Sequence, residues 1–226
     1  MTAAAETLDT IARFSRVHAV WMLAASGLSL AAGSALPASA AGALSLCTSV
    51  ILHRGRWTPS GVFGVGNALT LVRLGMIASL GPLCLSPPGP VAALVVFAVF
   101  ALDGVDGWLA RKRGQASLFG AHLDMECDAL LVLLCSLVLY QHGRLGAFIL
   151  VPGLLRYGYV VFLLLVPAAG GEAPRSNLGR YAFAAMAISL VASLWPLPFH
   201  VPLAQFATLA IAASFGRSFY YGFKQA

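Results

Sequence analysis

The stretch that decides the fold runs from Asp103 to Asp128 and reads DGVDGWLARKRGQASLFGAHLDMECD. It holds four aspartates, in a chain with eight acidic residues in all, and apolar runs lie on both sides. Asp103 and Asp106 are three residues apart, and the second pair, Asp124 and Asp128, is four apart, so each pair shares one face of a helix. Clustered carboxylates repel one another unless positive charge lies between them, so we expect one or two Mg²⁺ or Mn²⁺ ions here.

Small residues and one arginine accompany the aspartates. Gly107 and Ala110 follow the first pair, and Gly120 opens the segment that carries the second pair. Glycine inside a helix costs about 1 kcal/mol relative to alanine, so its use indicates close approach of a backbone or a flat ligand. Arg111 lies one turn beyond Gly107, where a guanidinium suits a phosphate oxygen. Together these residues predict a pocket for a nucleotide diphosphate.

The full pattern is Asp-x2-Asp-Gly-x2-Ala-Arg-x8-Gly-x3-Asp-x3-Asp. It resembles the signature of the CDP-alcohol phosphotransferase (CDP-alcohol phosphatidyltransferase) family at all eight fixed positions. The resemblance implies an all-α polytopic membrane protein with a six-helix core, which residues 67–222 are long enough to hold. It also implies phospholipid synthesis, in which a hydroxyl attacks a CDP-linked donor and CMP leaves. Aspartates that only cap helices at membrane interfaces are the alternative, and they would explain one or two of the four.

The same resemblance implies a role for each site residue. Asp103, Asp106 and Asp124 would bind metal, and Asp128 would be both a ligand and the general base. The cofactor would be Mg²⁺ or Mn²⁺, as a pair of ions. An Asn-x2-Thr-x2-Arg run, which many family members have at the start of their first helix, occurs here at 67–73. The implied nucleotide-binding residues are Asn67, Thr70, Gly107, Ala110, Arg111, Ser117 and Gly120.

The composition independently indicates a polytopic membrane protein. Hydrophobic residues make up 59% of the chain and charged residues 10%, whereas soluble domains have about 25% charged residues. The net charge of +6 is therefore better explained by basic loops beside anionic lipid than by nucleic-acid binding.

The N-terminal region has two interpretations. An apolar run at 19–36 precedes Pro37-Ala38-Ser39-Ala40, which resembles a signal-peptidase site. Either cleavage after Ala40 removes the run, or 19–36 and 38–52 form a helical hairpin, which we favour. The predicted domains are then 1–60, an N-terminal cytoplasmic segment with the hairpin, and 61–226, a six-helix catalytic transmembrane domain. Because the family-like residues begin near Asn67, the hairpin is expected to be accessory.

Eight helices are predicted in total, separated by turns rich in glycine and proline. They cover residues 19–36, 38–52, 67–84, 90–111, 120–141, 146–168, 178–196 and 200–222. The two halves of the aspartate pattern lie at the end of the fourth helix and the start of the fifth, so both are expected on one side of the membrane.

The acceptor is less well defined by the sequence. Arg156 lies in the middle of a predicted span, which marks either a functional residue or a structural partner for one of the aspartates. Arg156 and Arg175 are the candidate acceptor-binding residues, because guanidiniums suit an anionic alcohol such as a polyol phosphate. Arg180 and Arg217 would join them, and the cluster would equally suit anionic lipid headgroups.

Lysine and arginine positions predict the orientation. With both termini inside, nearly all the basic residues are cytoplasmic and Arg144 is outside, which agrees with the positive-inside rule. We therefore expect an integral protein of the inner (cytoplasmic) membrane whose site faces the cytoplasm. Its partners would be a CDP-linked lipid donor, a small alcohol, membrane lipids and, in a homodimer, a second copy. No nucleic acid is expected.

Several functional alternatives remain at this point. The plain form of the signature favours CDP-diacylglycerol as donor, and a CDP-amino-alcohol transferase acting on diacylglycerol is the alternative within the family. A cation transporter with intramembrane acids belongs to a different class, but it would not need Gly-x2-Ala-Arg beside the acids. A non-catalytic relative acting in assembly is disfavoured by the complete aspartate set.

Overall fold

A computed structural model describes residues 3–166, 177–195 and 197–224 of the chain. Within these ranges the protein is all-helical, with eight α-helices and one short 3-10 helix at Ala147–Ile149. The α-helices are α1 (Ala3–Ala32), α2 (Leu36–Leu52), α3 (Val65–Leu83), α4 (Pro90–Lys112), α5 (Leu118–Gln141), α6 (Leu150–Leu165), α7 (Asn177–Leu194) and α8 (His200–Lys224). The predicted order of eight helices is confirmed for this part of the chain.

Helix α5 is the centre of the molecule. Its segment 130–139 is buried at every position, and the helix packs against α1, α2, α3, α6 and α7. A helix that is apolar all round is expected to be buried on all sides, and this one carries the second half of the aspartate pattern at its N-terminal end. The central packing therefore fixes the depth and rotation of those aspartates.

The N-terminal hairpin packs directly on this core. Helix α1 contacts α5 and α6, and α2 contacts α3 and α5. The residues resembling a cleavage site lie in the first turns of α2, where Ala38 and Ser39 are buried and Ser39 Oγ donates a hydrogen bond to the Ala78 carbonyl at 2.7 Å. This packing supports the interpretation of the region as a hairpin.

Helix α1 begins earlier than the apolar pattern predicts, at Ala3 instead of residue 19. Its first half is amphipathic: Asp9 and Arg13 form an exposed i,i+4 ion pair at 2.6 Å, while Phe14 packs on the core. The apolar pattern was weak at residues 3–18 because charged side chains on the outer face of the helix interrupt the run of apolar residues on its inner face.

The outside of the bundle is apolar. Within the described residues, Pro90–Lys112 and Ala147–Leu165 are long and apolar enough to cross a membrane, and Leu36–Leu52 and Leu178–Leu194 are shorter apolar helices. Many large hydrophobic side chains are exposed on the outer surfaces, Val17, Leu44, Phe97 and Leu209 among them. An apolar exterior of this extent is consistent with a membrane protein. The division at residue 60, the six-helix core and the full number of spans stay predictions.

Candidate active site

The two halves of the aspartate pattern meet at neighbouring helix ends. Helix α4 ends at Lys112, and Gly114 turns the chain with a φ of +63°, a conformation that favours glycine. Ser117 then caps α5, because its Oγ accepts a hydrogen bond from the Gly120 backbone N–H at 3.0 Å. This short connection returns the chain beside the end of α4, so the acidic positions of the two helices face one another.

Three carboxylates converge there. Asp103, Asp124 and Asp128 each contribute an oxygen to a group whose members all lie within 4.8 Å of one another. Asp106 lies one turn beyond Asp103 on α4, and its side chain is outside the part of the chain that the structure describes. The expected juxtaposition of the two aspartate pairs is therefore observed for three of the four carboxylates.

A fully buried arginine lies among these carboxylates. Arg73 on α3 has no exposed surface, and its Nη1 lies 2.9 Å from Asp103 Oδ1 while its Nη2 lies 2.7 Å from Asp128 Oδ1. Nη1 also donates to Asp124 Oδ1. A buried charge is stable only when it is paired, and here one guanidinium is paired with at least three carboxylates. In the sequence, Arg73 is the arginine of the Asn-x2-Thr-x2-Arg run at 67–73, and that pattern predicted no role for it in the site.

The carboxylate cluster fits a divalent cation. One guanidinium does not neutralise three carboxylates, so negative charge remains at the centre of the group. Opposite ligands of an octahedral Mg²⁺ lie about 4 Å apart, and the three carboxylate oxygens all lie within 4.8 Å of one another. Hard oxygen donors are also the ligands that Mg²⁺ and Mn²⁺ prefer. The described residues therefore suit the metal predicted from the sequence.

A first cavity of about 560 Å³ opens beside the cluster. It is bounded by the N-terminal end of α3, the last turns of α4 and the first turns of α5. Every residue predicted to bind the nucleotide lines this cavity, namely Asn67, Thr70, Gly107, Ala110, Arg111, Ser117 and Gly120. Sequence reasoning missed Gly66, Gln115, Ala116 and Ala121, which also line it. The loop residues among these four carry no periodic signal that could have identified them.

The polar side chains of the first cavity are held by the connector between α2 and α3. The Trp57 carbonyl accepts hydrogen bonds from Asn67 Nδ2 at 3.0 Å and from Ser117 Oγ at 2.6 Å. Gln115 Oε1 accepts a hydrogen bond from the Val65 backbone N–H at 3.1 Å. These bonds fix the side chains before any ligand binds, which lowers the ordering cost of binding.

Gly120 allows a close approach at the wall of the first cavity. A Cβ at this position would lie 2.9 Å from Asn67 Oδ1 and 3.2 Å from Ser117 Oγ. An alanine would therefore displace the Asn67 amide from its position between the Trp57 carbonyl and the cavity.

We expect Gly120→Ala to raise the KM for the CDP-linked donor about fivefold, the equivalent of about 1 kcal/mol for one disturbed hydrogen bond. Steady-state kinetics would measure this change. Gly75→Ala on α3 is the control, because a Cβ there would meet nothing within 4 Å. Equal donor KM values for the Gly120→Ala variant and the wild type would show that the close approach has no part in binding.

A second cavity, of about 730 Å³, lies on the other side of the aspartates. Asp124 and Asp128 form its polar wall together with Arg156, and its other walls are largely apolar residues of α5 to α8. Asp124 lines both cavities, so the two spaces meet at the carboxylate cluster. Two substrates bound in them would come into contact there.

The structure places the candidate acceptor residues unequally. Arg156 lines the second cavity, and its Nη2 donates to Glu126 Oε1 at 2.6 Å. Its carboxylate partner is therefore Glu126, not one of the aspartates as the structural alternative supposed. Arg175 lies outside the described residues. Arg180 and Arg217 are exposed, and Arg217 lies 5.6 Å from the Tyr221 ring centroid.

Comparison with known proteins identifies the family. A sequence model described as CDP-alcohol phosphatidyltransferase matches residues 63–217. The chain belongs to the CDP-alcohol phosphatidyltransferase family. It is accordingly a transferase of substituted phosphate groups, and the resemblance drawn from the aspartate pattern is confirmed.

Three relatives illustrate the range of the family. The chain is 32% identical over 167 residues to the CDP-diacylglycerol–glycerol-3-phosphate 3-phosphatidyltransferase of Bacillus subtilis, covering 66% of this chain and 86% of that protein. It is 35% identical over 83 residues to the Escherichia coli K12 enzyme of the same name, covering 35% and 46%. It is 40% identical over 55 residues to CDP-diacylglycerol–inositol 3-phosphatidyltransferase 1 of Arabidopsis thaliana, covering 24% of each chain.

Proposed function

We propose that this enzyme transfers the phosphatidyl group of CDP-diacylglycerol to the hydroxyl of a small anionic alcohol, in a reaction that depends on a divalent metal. The observation that carries the proposal is the meeting of two cavities at one carboxylate cluster. The first is lined by the small residues and the arginine of the signature, and the second combines Arg156 with apolar walls.

The proposed step forms one phosphorus–oxygen bond and breaks another. The acceptor hydroxyl oxygen attacks the phosphorus that carries the diacylglycerol, its proton leaves, and the bond from that phosphorus to the CMP oxygen breaks. CMP departs and a phosphodiester remains. When bound, a divalent metal would polarise the phosphate oxygens and offset the charge that builds on them.

The chain's own residues would have distinct tasks in this step. Asp103, Asp106, Asp124 and Asp128 would hold the metal. Arg73 would keep three of these carboxylates together before the metal binds, because its guanidinium contacts each of them. Asp128 would also take the proton of the attacking hydroxyl. Gly107, Ala110, Arg111 and Gly120, with Asn67, Thr70 and Ser117, would bind the cytidine diphosphate portion of the donor.

Glycerol 3-phosphate is the first candidate acceptor. Two bacterial relatives are named for it, and the longer match covers 86% of one of them. Its phosphate would pair with Arg156, and Arg175 would assist. The inositol-named relative matches over only 55 residues, so it supports that acceptor less strongly. Membership of a transferase family also favours this function over a cation transporter.

We also propose an orientation in the membrane and an oligomeric state. The basic residues near the aspartate cluster, among them Arg111, Lys112 and Arg113, lie at the end of α4 that holds the site. By the positive-inside rule this end faces the cytoplasm of an inner-membrane protein. The enzyme is proposed to form a homodimer in the membrane.

The test is a screen of purified enzyme in detergent. CDP-diacylglycerol is supplied with Mg²⁺ or Mn²⁺ and one alcohol at a time, and CMP release is measured. We expect CMP release with glycerol 3-phosphate, since a transferase needs no sealed membrane. Release with CDP-choline and diacylglycerol instead would support the amino-alcohol alternative. An absence of CMP release with every pair would refute the proposed function.

Arg156 provides a sharper test of the acceptor site. We expect Arg156→Ala to raise the KM for the alcohol about tenfold, because a hydrogen bond to a charged group contributes about 1.5–3 kcal/mol. The KM for the CDP-lipid should change little, since Arg156 does not line the first cavity. Arg13→Ala is the control, because Arg13 is an exposed residue of α1. An equal rise in the KM values of both substrates would favour a structural role for Arg156.

A further inference from the structure

A buried polar cluster lies on the side of α5 that faces away from the aspartates. Glu126 is two residues from both Asp124 and Asp128, so it points to the opposite face of the helix. It is 1% exposed, and its Oε1 accepts a hydrogen bond from Arg156 Nη2 at 2.6 Å. Because a buried carboxylate is costly unless paired, this contact fixes both side chains.

The N-terminal hairpin completes the surroundings of Glu126. His18 on α1 is 1% exposed, and its Nε2 lies 3.9 Å from Glu126 Oε2. The Nδ1 of the same ring is hydrogen-bonded to Ser45 Oγ of α2 at 2.7 Å, and the ring packs against Tyr157 of α6 with centroids 5.8 Å apart. Both helices of the hairpin therefore hold this histidine in place.

The distances rank the contacts of Glu126. His122 Nδ1, on the same helix, lies 3.8 Å away and His18 Nε2 lies 3.9 Å away, and both distances exceed a hydrogen bond. The 2.6 Å bond to Arg156 is the contact that directs the carboxylate. The histidines enclose Glu126 and leave the guanidinium as its hydrogen-bonding partner among the described residues.

Arg156 thus connects the hairpin to the reaction centre. One of its terminal nitrogens is held by Glu126, and the side chain lines the second cavity together with Asp128. Ordering a freely rotating arginine side chain costs rotamer entropy, and the bond to Glu126 removes part of that cost before the acceptor arrives.

We propose that Glu126 and His18 are positioning residues that aim Arg156 at the acceptor, so the hairpin is a working part of the enzyme. The proposal rests on the proposed function, because it assumes that the acceptor occupies the second cavity. It also runs against the expectation of an accessory hairpin, since α1 and α2 lie before the family match at 63–217.

A double-mutant cycle on the full-length enzyme tests the proposal. Glu126→Gln is expected to raise the KM for glycerol 3-phosphate about tenfold, with the KM for CDP-diacylglycerol changed less than about twofold. Added to Arg156→Gln, the same substitution should change the acceptor KM by less than about twofold, because Glu126 acts through Arg156. Glu126→Asp, which keeps the charge, should recover part of the acceptor affinity.

Variants in the hairpin provide the second arm. His18→Ala should raise the acceptor KM about threefold and leave the donor KM unchanged. Ser26→Ala is the matched control, because Ser26 is a buried residue of the same helix whose Oγ donates to the Met22 carbonyl, away from the cluster. It should change neither KM.

Four results would distinguish the possible outcomes. Equal rises in both KM values for Glu126→Gln, or an effect that multiplies with that of Arg156→Gln, would overturn the positioning role. If Glu126→Gln does not fold, an unchanged acceptor KM in His18→Ala would overturn it. Calorimetry of glycerol 3-phosphate binding separates the positioning role from the proposed function. If the wild type binds glycerol 3-phosphate but releases no CMP, and Glu126→Gln binds it more weakly, only the proposed function is refuted.

Discussion

Asp103→Asn and Asp124→Asn are each expected to reduce CMP release more than about 100-fold, because electrostatic stabilisation by a bound metal contributes several kcal/mol to phosphoryl transfer. Both substitutions remove a charged oxygen from the group of three carboxylates that lie within 4.8 Å of one another. An amide oxygen binds a hard cation more weakly than a carboxylate does. Initial rates of CMP release at saturating Mg²⁺ and Mn²⁺ would measure the loss.

Asp9→Asn is the matched control for these variants. Asp9 pairs with Arg13 on the surface of α1, and exposed ion pairs contribute about 0–1 kcal/mol, so activity and the unfolding midpoint should both be preserved. The aspartate variants should also stay folded, since Arg73 keeps its other carboxylate partners. Near-normal turnover of either variant in excess EDTA would contradict the metal site.

Much of this arrangement could be predicted because its determinants are local. The spacing of Asp124 and Asp128 sets their shared face, and Gly114 with Ser117 sets the turn between α4 and α5. Each of these signals lies within a few residues of the structure it specifies. Most helix positions followed from such signals, whereas the set of nucleotide-binding residues that line one cavity was implied by the resemblance to the family.

The contacts that sequence reasoning missed are those between distant parts of the chain. Arg73 Nη2 and Asp128 Oδ1 are 55 residues apart in sequence and 2.7 Å apart in the structure. Glu126 lies inside the signature, but its spacing removes it from the aspartate face, so the pattern gives no reason to single it out. Its pairing with Arg156 depends on how α5 and α6 pack, which no local pattern encodes.

Asp128 differs from the other aspartates in its position. It lines the second cavity, where the acceptor is proposed to bind, whereas Asp124 lines both cavities. The Asp128 side chain is 20% exposed, and its Oδ1 accepts a hydrogen bond from Arg73 Nη2 at 2.7 Å. A general base must lie within reach of the hydroxyl it deprotonates. Among the three described carboxylates, Asp128 lines the second cavity and not the first.

Asp128→Asn should therefore separate proton transfer from donor binding. The amide keeps an oxygen that can contact a metal weakly, but it cannot take a proton. We expect the affinity for the CDP-lipid to stay within about threefold of wild type while kcat falls about 100-fold or more, as for the loss of a general base.

Asp103→Asn should instead weaken metal-dependent donor binding, because that residue is proposed only as a ligand. The comparison to make is CDP-lipid affinity at saturating Mg²⁺ for the two variants, beside their kcat values. If both lose donor binding alike, Asp128 is chiefly a metal ligand, and the proton of the acceptor must pass to another group, such as a water molecule in the second cavity.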